Sequence, residues 1–373
     1  MKNAWQTLQD TLALAACPPG DGVYTVNTAK ERKALLRQKL FGQSDDVRTQ
    51  WLERIQRLPE SGQKAAILGV ASDCGGGILR GANWGPLFLR LTLLEQQSDS
   101  YTADLGDVRV IPHLLHDKYL NQPTIDNCRQ ALYQSKETAL PVSPLSLTEQ
   151  ICDDFYAAFP QRGIFGIGGD HSISYPLTKS YLKARRAAGK RTAIIHFDAH
   201  TDLLVERLGI DLCFGSWCTH ILEYLPDPSL LIQFGIRSSG KPKQHWESTF
   251  GIRQHWAAEI QQRGTAAVAT EVIAQLQAAQ VDELYVSFDI DALDAEFASA
   301  TGTPETGGLT PEQSLDLLER IAAKFPITAA DMMEIAPFTD SSLRGEQSTQ
   351  KTLREGARIS AFLLKQINQT VIS

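Results

Sequence analysis

Three short runs carry the residue types that could do chemistry together: Gly168-Gly-Asp-His171-Ser, Asp198-Ala-His200-Thr-Asp202 and Ser287-Phe-Asp289-Ile-Asp291. Asp198, His200 and Asp202 sit at i, i+2 and i+4, a spacing that an extended backbone turns to one side. Asp289 and Asp291 repeat the step. Carboxylates and an imidazole crowded at the mouth of an apolar strand repel one another and are costly to desolvate unless a cation holds them. Singly, such runs say little, since an isolated Asp-x-Asp suits a solvated turn and an isolated His a hydrogen-bonded core position. Jointly they offer two imidazoles and four carboxylates, whose four charges match two divalent cations. Oxygen-rich ligation with two imidazoles and no thiolate suits Mn²⁺, with Ni²⁺, Co²⁺ or Fe²⁺ as alternatives. Two such ions roughly 3.5–4 Å apart would acidify a water and orient it for hydrolysis.

These runs need buried strands to position them. Apolar stretches predict strands at 65–71, 108–112, 164–168, 192–198, 230–236, 284–290 and 327–334, and helical periodicity fits 147–158, 174–188, 265–279, 312–324 and 349–367. Thr310-Pro-Glu-Gln313 is a capping-box pattern with Pro at the first helical position. Near-continuous apolar strands alternating with helices imply an α/β fold of three layers, αβα, with a mostly parallel central sheet. Ligands bind at the carboxyl ends of such strands, where all three runs fall. The turn Ser72-Asp-Cys-Gly-Gly-Gly77 lacks the Gly-Lys-Ser/Thr of a nucleotide loop and reads as a close backbone approach to a site. The Gln-, Ser- and Pro-rich stretch 116–147 reads as a long loop. Residues 1–64 form a polar, helix-forming N-terminal extension broken at Pro18-Pro-Gly20, packed on the main domain or on a neighbouring subunit. Residues 65–373 make the main domain.

The 373 residues are 43% apolar and 21% charged, with a formal charge of −7. That balance fits a soluble globular protein and argues against a nucleic-acid or anionic-membrane surface. No apolar run approaches the roughly 20 residues of a membrane helix, and the N-terminus lacks a signal-peptide layout, so a cytoplasmic location is expected. The six cysteines are scattered without a Cys-x-x-Cys pair and read as ordinary thiols.

The joint motif set resembles the arginase/agmatinase (ureohydrolase) family, whose hallmarks are Gly-Gly-Asp-His, Asp-Ala-His-x-Asp and Ser-x-Asp-x-Asp. Thr301-Gly-Thr-Pro-Glu-Thr-Gly-Gly-Leu309, Asp331-Met-Met-Glu-Ile-Ala-Pro337 and Arg80-Gly-Ala-Asn-Trp-Gly-Pro86 extend the resemblance over roughly residues 65 to 367. It implies a binuclear metal hydrolase, two divalent ions with Mn²⁺ first and Ni²⁺ second, and a homo-oligomer, trimer or hexamer. His171, Asp198, Asp202 and Asp289 would hold one ion, and His200, Asp198, Asp289 and Asp291 the other. Asp202 would aim a metal-bridging hydroxide at the guanidinium carbon, and Glu334 would grip the guanidinium, a planar cation suited to a bidentate acceptor. Urea and an amine would be the products.

Some positions depart from the family. Its proton-shuttling His before a Gly is replaced here by Phe214-Gly215, and His220 follows five residues after Gly215. A helix beginning near Ser216 would set His220 one turn in, where it could serve as acid or base. Trp217 and Phe214 could instead wall a smaller, drier substrate pocket. Arg237-Ser-Ser-Gly-Lys241 stands where arginases bear an acidic pair for the α-amino group. This points to agmatine, a guanidino acid or guanidine rather than L-arginine. A same-fold hydrolase of another C–N bond, formimidoyl or acyl amide, and a non-catalytic metal-binding homologue are the alternatives.

Overall fold

The computed structural model describes residues 3–23, 27–77, 79–341 and 346–370. Among them nine strands form one sheet: β1 (Ala16–Cys17), β2 (Ala65–Val70), β3 (Ala103–Val108), β4 (Gly163–Gly168), β5 (Thr192–Phe197), β6 (Leu231–Phe234), β7 (Arg253–His255), β8 (Glu283–Asp289) and β9 (Ile327–Met333). The order across the sheet is β1-β3-β2-β4-β9-β8-β5-β6-β7. Every neighbouring pair is parallel except β1 with β3. Parallel strands require long crossovers, and the helices Ser174–Ala187, Thr265–Ala278 and Pro311–Ala322 lie in the connections from β4 to β5, β7 to β8 and β8 to β9. β2, β4, β5, β8 and β9 are buried along their whole length, so both faces of the sheet are covered and the αβα layering follows. The Thr310–Gln313 capping box is formed in both directions. No described helix is long and apolar enough to cross a membrane.

Strand alternation sorts the chemistry from the core. Phe197 on β5 stacks on its register partners Phe234 and Phe288, with ring centres 5.1 and 4.9 Å away. The same alternation turns His196 and Asp198 to the opposite face.

Three expectations change. The strand expected at 108–112 lies at Ala103–Val108, a run whose Asp104 and Asp107 look like loop residues in the sequence. Buried Arg90 explains them: its guanidinium bonds both carboxylates, Asp104 at 2.8 Å. The stretch 116–147 is no continuous loop. Asn121 caps a helix Gln122–Tyr133 by accepting from the Thr124 amide at 3.0 Å, and a further helix opens at Pro144. The extension contributes helices Ala4–Ala15, Lys30–Phe41 and Val47–Gln56, and it also supplies β1 to the sheet edge. Asp107 accepts from the Gly20 and Gly22 amides at 2.8 and 3.0 Å, which ties the Pro-Pro-Gly break to the sheet.

Candidate metal centre

The four central strands β4, β9, β8 and β5 deliver the candidate residues side by side at their carboxyl ends. His171 follows β4, Glu334 follows β9, Asp289 closes β8 with Asp291 just beyond, and Asp198, His200 and Asp202 follow β5. Close packing dictates the Gly-Gly before His171, because a side chain at Gly169 would strike the Ser72 carbonyl. Asp202 and Glu334 adopt left-handed backbone at φ 50° and 64°. For non-glycine residues that conformation is held only by surrounding structure, at about 1–3 kcal/mol each.

Two interlocked groups result. The His171 Nδ1 lies 3.1 Å from Asp198 Oδ2, 3.2 Å from Asp202 Oδ2 and 3.1 Å from Asp289 Oδ2. The His200 Nδ1 lies 3.4 Å from Asp198 Oδ1 and 3.2 Å from Asp291 Oδ2. Asp198 thus presents one oxygen to each group. His171 Nε2 is 3.0 Å from Ser287 Oγ, whose hydroxyl donates to Asp331 Oδ1 at 2.8 Å. Ser287 therefore accepts from His171 Nε2–H, which leaves the Nδ1 lone pair facing the carboxylates. On the other side His200 Nε2 lies 3.6 Å from Glu305 Oε1, which Ser238 Oγ holds at 2.8 Å. Thr303 Oγ1 donates to Asp291 Oδ2 at 2.8 Å. Imidazole ligands of metals are commonly oriented in this way through their second nitrogen.

The electrostatics describe a cluster short of positive charge. Burial, then the Asp291 and Asp198 charges, push the Asp289 carboxyl well above its ordinary range. Burial and Asp198 likewise raise Asp202. Burial disfavours the His200 imidazolium, yet Asp291 and Asp198 outweigh it and raise the group to about 12. His171 is raised by its three carboxylates against the same penalty. Its Nδ1 is buried and makes no hydrogen bond although three oxygens surround it. Asp198 moves the other way: burial disfavours its charge, but the imidazoles of His171, His196 and His200 outweigh it and hold the carboxyl well below its ordinary range. Raised carboxylates beside raised imidazoles mark a cluster that draws in cations, and the oxygen-rich donor set with two imidazoles fits hard divalent ions. Glu334 is buried, with Oε1 accepting the His171 amide at 2.9 Å and Oε2 facing Gly302. Burial, then Asp289, Asp170 and Asp73, raise it well above the ordinary range, as suits a carboxylate that awaits a cation.

The remaining expected site residues are placed differently. Trp217 is fully buried and is no pocket wall: its Nε1–H donates to Asp202 Oδ2 at 2.8 Å. It takes the inward position at the head of helix Trp217–Ile221, and His220 is turned away from the cluster. His220 Nε2 engages the Asp211 carbonyl at 2.8 Å, and its ring meets Tyr175 at 6.1 Å. Phe214 lines a cavity of about 460 Å³ with Gly75–Gly77, Arg80, His113 and Arg207, and Arg207 lies over its ring at 5.1 Å. Arg237 faces no substrate space, since its guanidinium is taken up by backbone carbonyls including those of Asp291, Leu293 and Glu305. Sequence reasoning passed over His196, which lies 3.0 Å from Asp198 Oδ2. The signal was present, because position 196 shares the strand face of Asp198.

The sequence profile of the arginase family matches residues 63–363. The chain is 30% identical over 302 residues to the mitochondrial guanidino acid hydrolase of Homo sapiens, covering 77% of this chain and 75% of that one. It is 31% identical over 297 residues to the mitochondrial agmatinase of Gallus gallus, covering 75% and 76%. Among solved structures, a hypothetical agmatinase from Burkholderia thailandensis superposes with a TM-score of 0.61 at 25% identity, over 83% of this chain and 87% of that one.

Proposed function

The chain belongs to the arginase family, and from that premise we propose that it hydrolyses a guanidino compound to urea and an amine, or to urea and ammonia where the substrate is guanidine. The observation that carries this reading is the pair of interlocked groups sharing Asp198, with Glu334 fixed to the His171 amide beside them. His171, Asp198, Asp202 and Asp289 would hold one divalent ion, and His200, Asp198, Asp289 and Asp291 the other. Mn²⁺ suits the donors best and Ni²⁺ next. Bound there, the ions supply Lewis acidity and lower the pKa of a water. The chain's own groups do the rest. Glu334 accepts guanidinium N–H bonds through the oxygen beside Gly302 and orients the planar carbon toward the cluster. Asp202, held by Trp217, orients the water and takes up its proton. Water adds at the guanidinium carbon, one C–N bond breaks, and the proton leaves with the amine. The family resemblance adds a trimeric or hexameric assembly.

Substrate choice is read from the cavity that Phe214 lines, which we assign to the substrate tail. Its described lining contains Arg80, Arg207, His113 and His116 and no carboxylate. An α-ammonium would find no acidic partner there, which weighs against L-arginine and, by the same reasoning, sets agmatine behind guanidine and guanidino acids. A urea-release screen on the Mn²⁺- and Ni²⁺-loaded protein over arginine, agmatine, guanidinobutyrate, guanidinopropionate and guanidine tests the reading. Urea is expected from at least one of the last four, with arginine poorest. No urea from any of them, with two ions bound, would overturn it in favour of a different C–N bond.

A further inference from the structure

One layer beneath the cluster runs a row of buried amides that the proposed chemistry does not use. His196 on β5, Gln233 on β6 and Gln254 on β7 are successive register partners, each at most 1% exposed. Trp256 Nε1–H donates to Gln254 Oε1 at 2.9 Å, and Gln254 Nε2 donates to Gln233 Oε1 at 2.8 Å. Gln233 Nε2 then donates to the Thr201 carbonyl at 2.7 Å and lies 2.9 Å from His196 Nδ1. An indole nitrogen only donates and a backbone carbonyl only accepts, so both ends of the row fix the orientation of the two amides. Cys218 Sγ also lies 3.6 Å from His196 Nδ1, where its S–H can donate, so the ring nitrogen is left to accept from the amide and the thiol. A neutral imidazole accepting at Nδ1 carries its proton on Nε2, and that atom faces Asp198 Oδ2 at 3.0 Å.

We infer that His196 is a positioning residue and not a metal ligand, although it lies among the groups close enough to share an ion. The Trp256–Gln254–Gln233 row fixes its tautomer, and its Nε2–H holds Asp198 Oδ2 on the His171 side. The opposite oxygen, Oδ1, accepts the His200 amide at 2.6 Å and faces the second group. Clamped at both oxygens, one carboxylate serves both groups at once. The inference rests on the two-ion reading above.

Nitrogen-15 NMR of the histidine-labelled full chain, metal-free and Zn²⁺-loaded, reads the tautomer, and titration with Mn²⁺ alone reads affinity. His196 is expected as the Nε2–H form in both states. His196→Gln, which keeps an N–H donor, should stay within about threefold of the wild-type Mn²⁺ affinity, whereas His196→Leu and Gln233→Glu should lose about 10–100-fold. An Nε2 that loses its proton on Zn²⁺ loading, an Nδ1–H form in either state, or a His196→Leu chain binding two Mn²⁺ as tightly as wild type would each overturn the inference. The NMR result stands even if a variant fails to fold. Wild-type protein that shows the Nε2–H form but binds no Mn²⁺ would overturn the two-ion reading itself, and the role of His196 with it.

Discussion

Asp202 concentrates the account at the scale of single residues. Its backbone is left-handed, its Oδ2 accepts from Trp217, and burial with the neighbouring Asp198 raises its carboxyl. Asp202→Asn keeps an oxygen for the Trp217 N–H but loses the charge and the basicity. Urea release should fall by roughly 10²–10⁴-fold, as expected for a lost general base, with an unchanged circular dichroism spectrum. Retained turnover would deny Asp202 its role. The ligand candidates were legible because i, i+2 and i+4 spacing at strand ends is a rule of backbone geometry. His196 obeys the same rule and escaped notice because a mid-strand His reads as core. The roles of Trp217 and His220 were not legible, since the direction a side chain takes from a five-residue helix depends on neighbours far away in sequence.

Elements were read best where apolar runs were long. β2, β4, β5, β8 and β9 fell where expected, whereas three-residue β7 carries too little periodicity to be seen and β3 hides two aspartates that only Arg90 makes tolerable. Edge strand β7 also sets a pH dependence. His255 stacks on Phe234 at 5.3 Å, and burial holds its imidazole down at about 4 against the pull of Glu259 and Glu271. In the unfolded chain the same group titrates near the ordinary 6.5. Its contribution to stability is therefore complete above about pH 6.5 and is lost as the pH falls toward 4, by on the order of 3 kcal/mol. Denaturant unfolding of wild type and His255→Leu at pH 7 and pH 4.5 isolates the effect, because other titrating groups are common to both chains. The variant should lose less stability between the two pH values, and equal losses would contradict the assignment.

For the whole molecule, alternating apolar strands and helices made the αβα class legible, and they made the carboxyl edge of the sheet the place to look. The part played by residues before 65 was hidden, because a two-residue antiparallel strand and an Asp107 cap on Gly20 and Gly22 leave no local pattern. The centre of the account is that sheet topology gathers two imidazoles and four carboxylates from β4, β5 and β8 into sites for a pair of cations. Anomalous diffraction at the manganese edge from crystals grown with Mn²⁺ tests this most directly. The account predicts two peaks per chain, one against His171, Asp202 and Asp289 and the other against His200 and Asp291, with Asp198 between them. A single peak, or ions bound away from these six side chains, would contradict it.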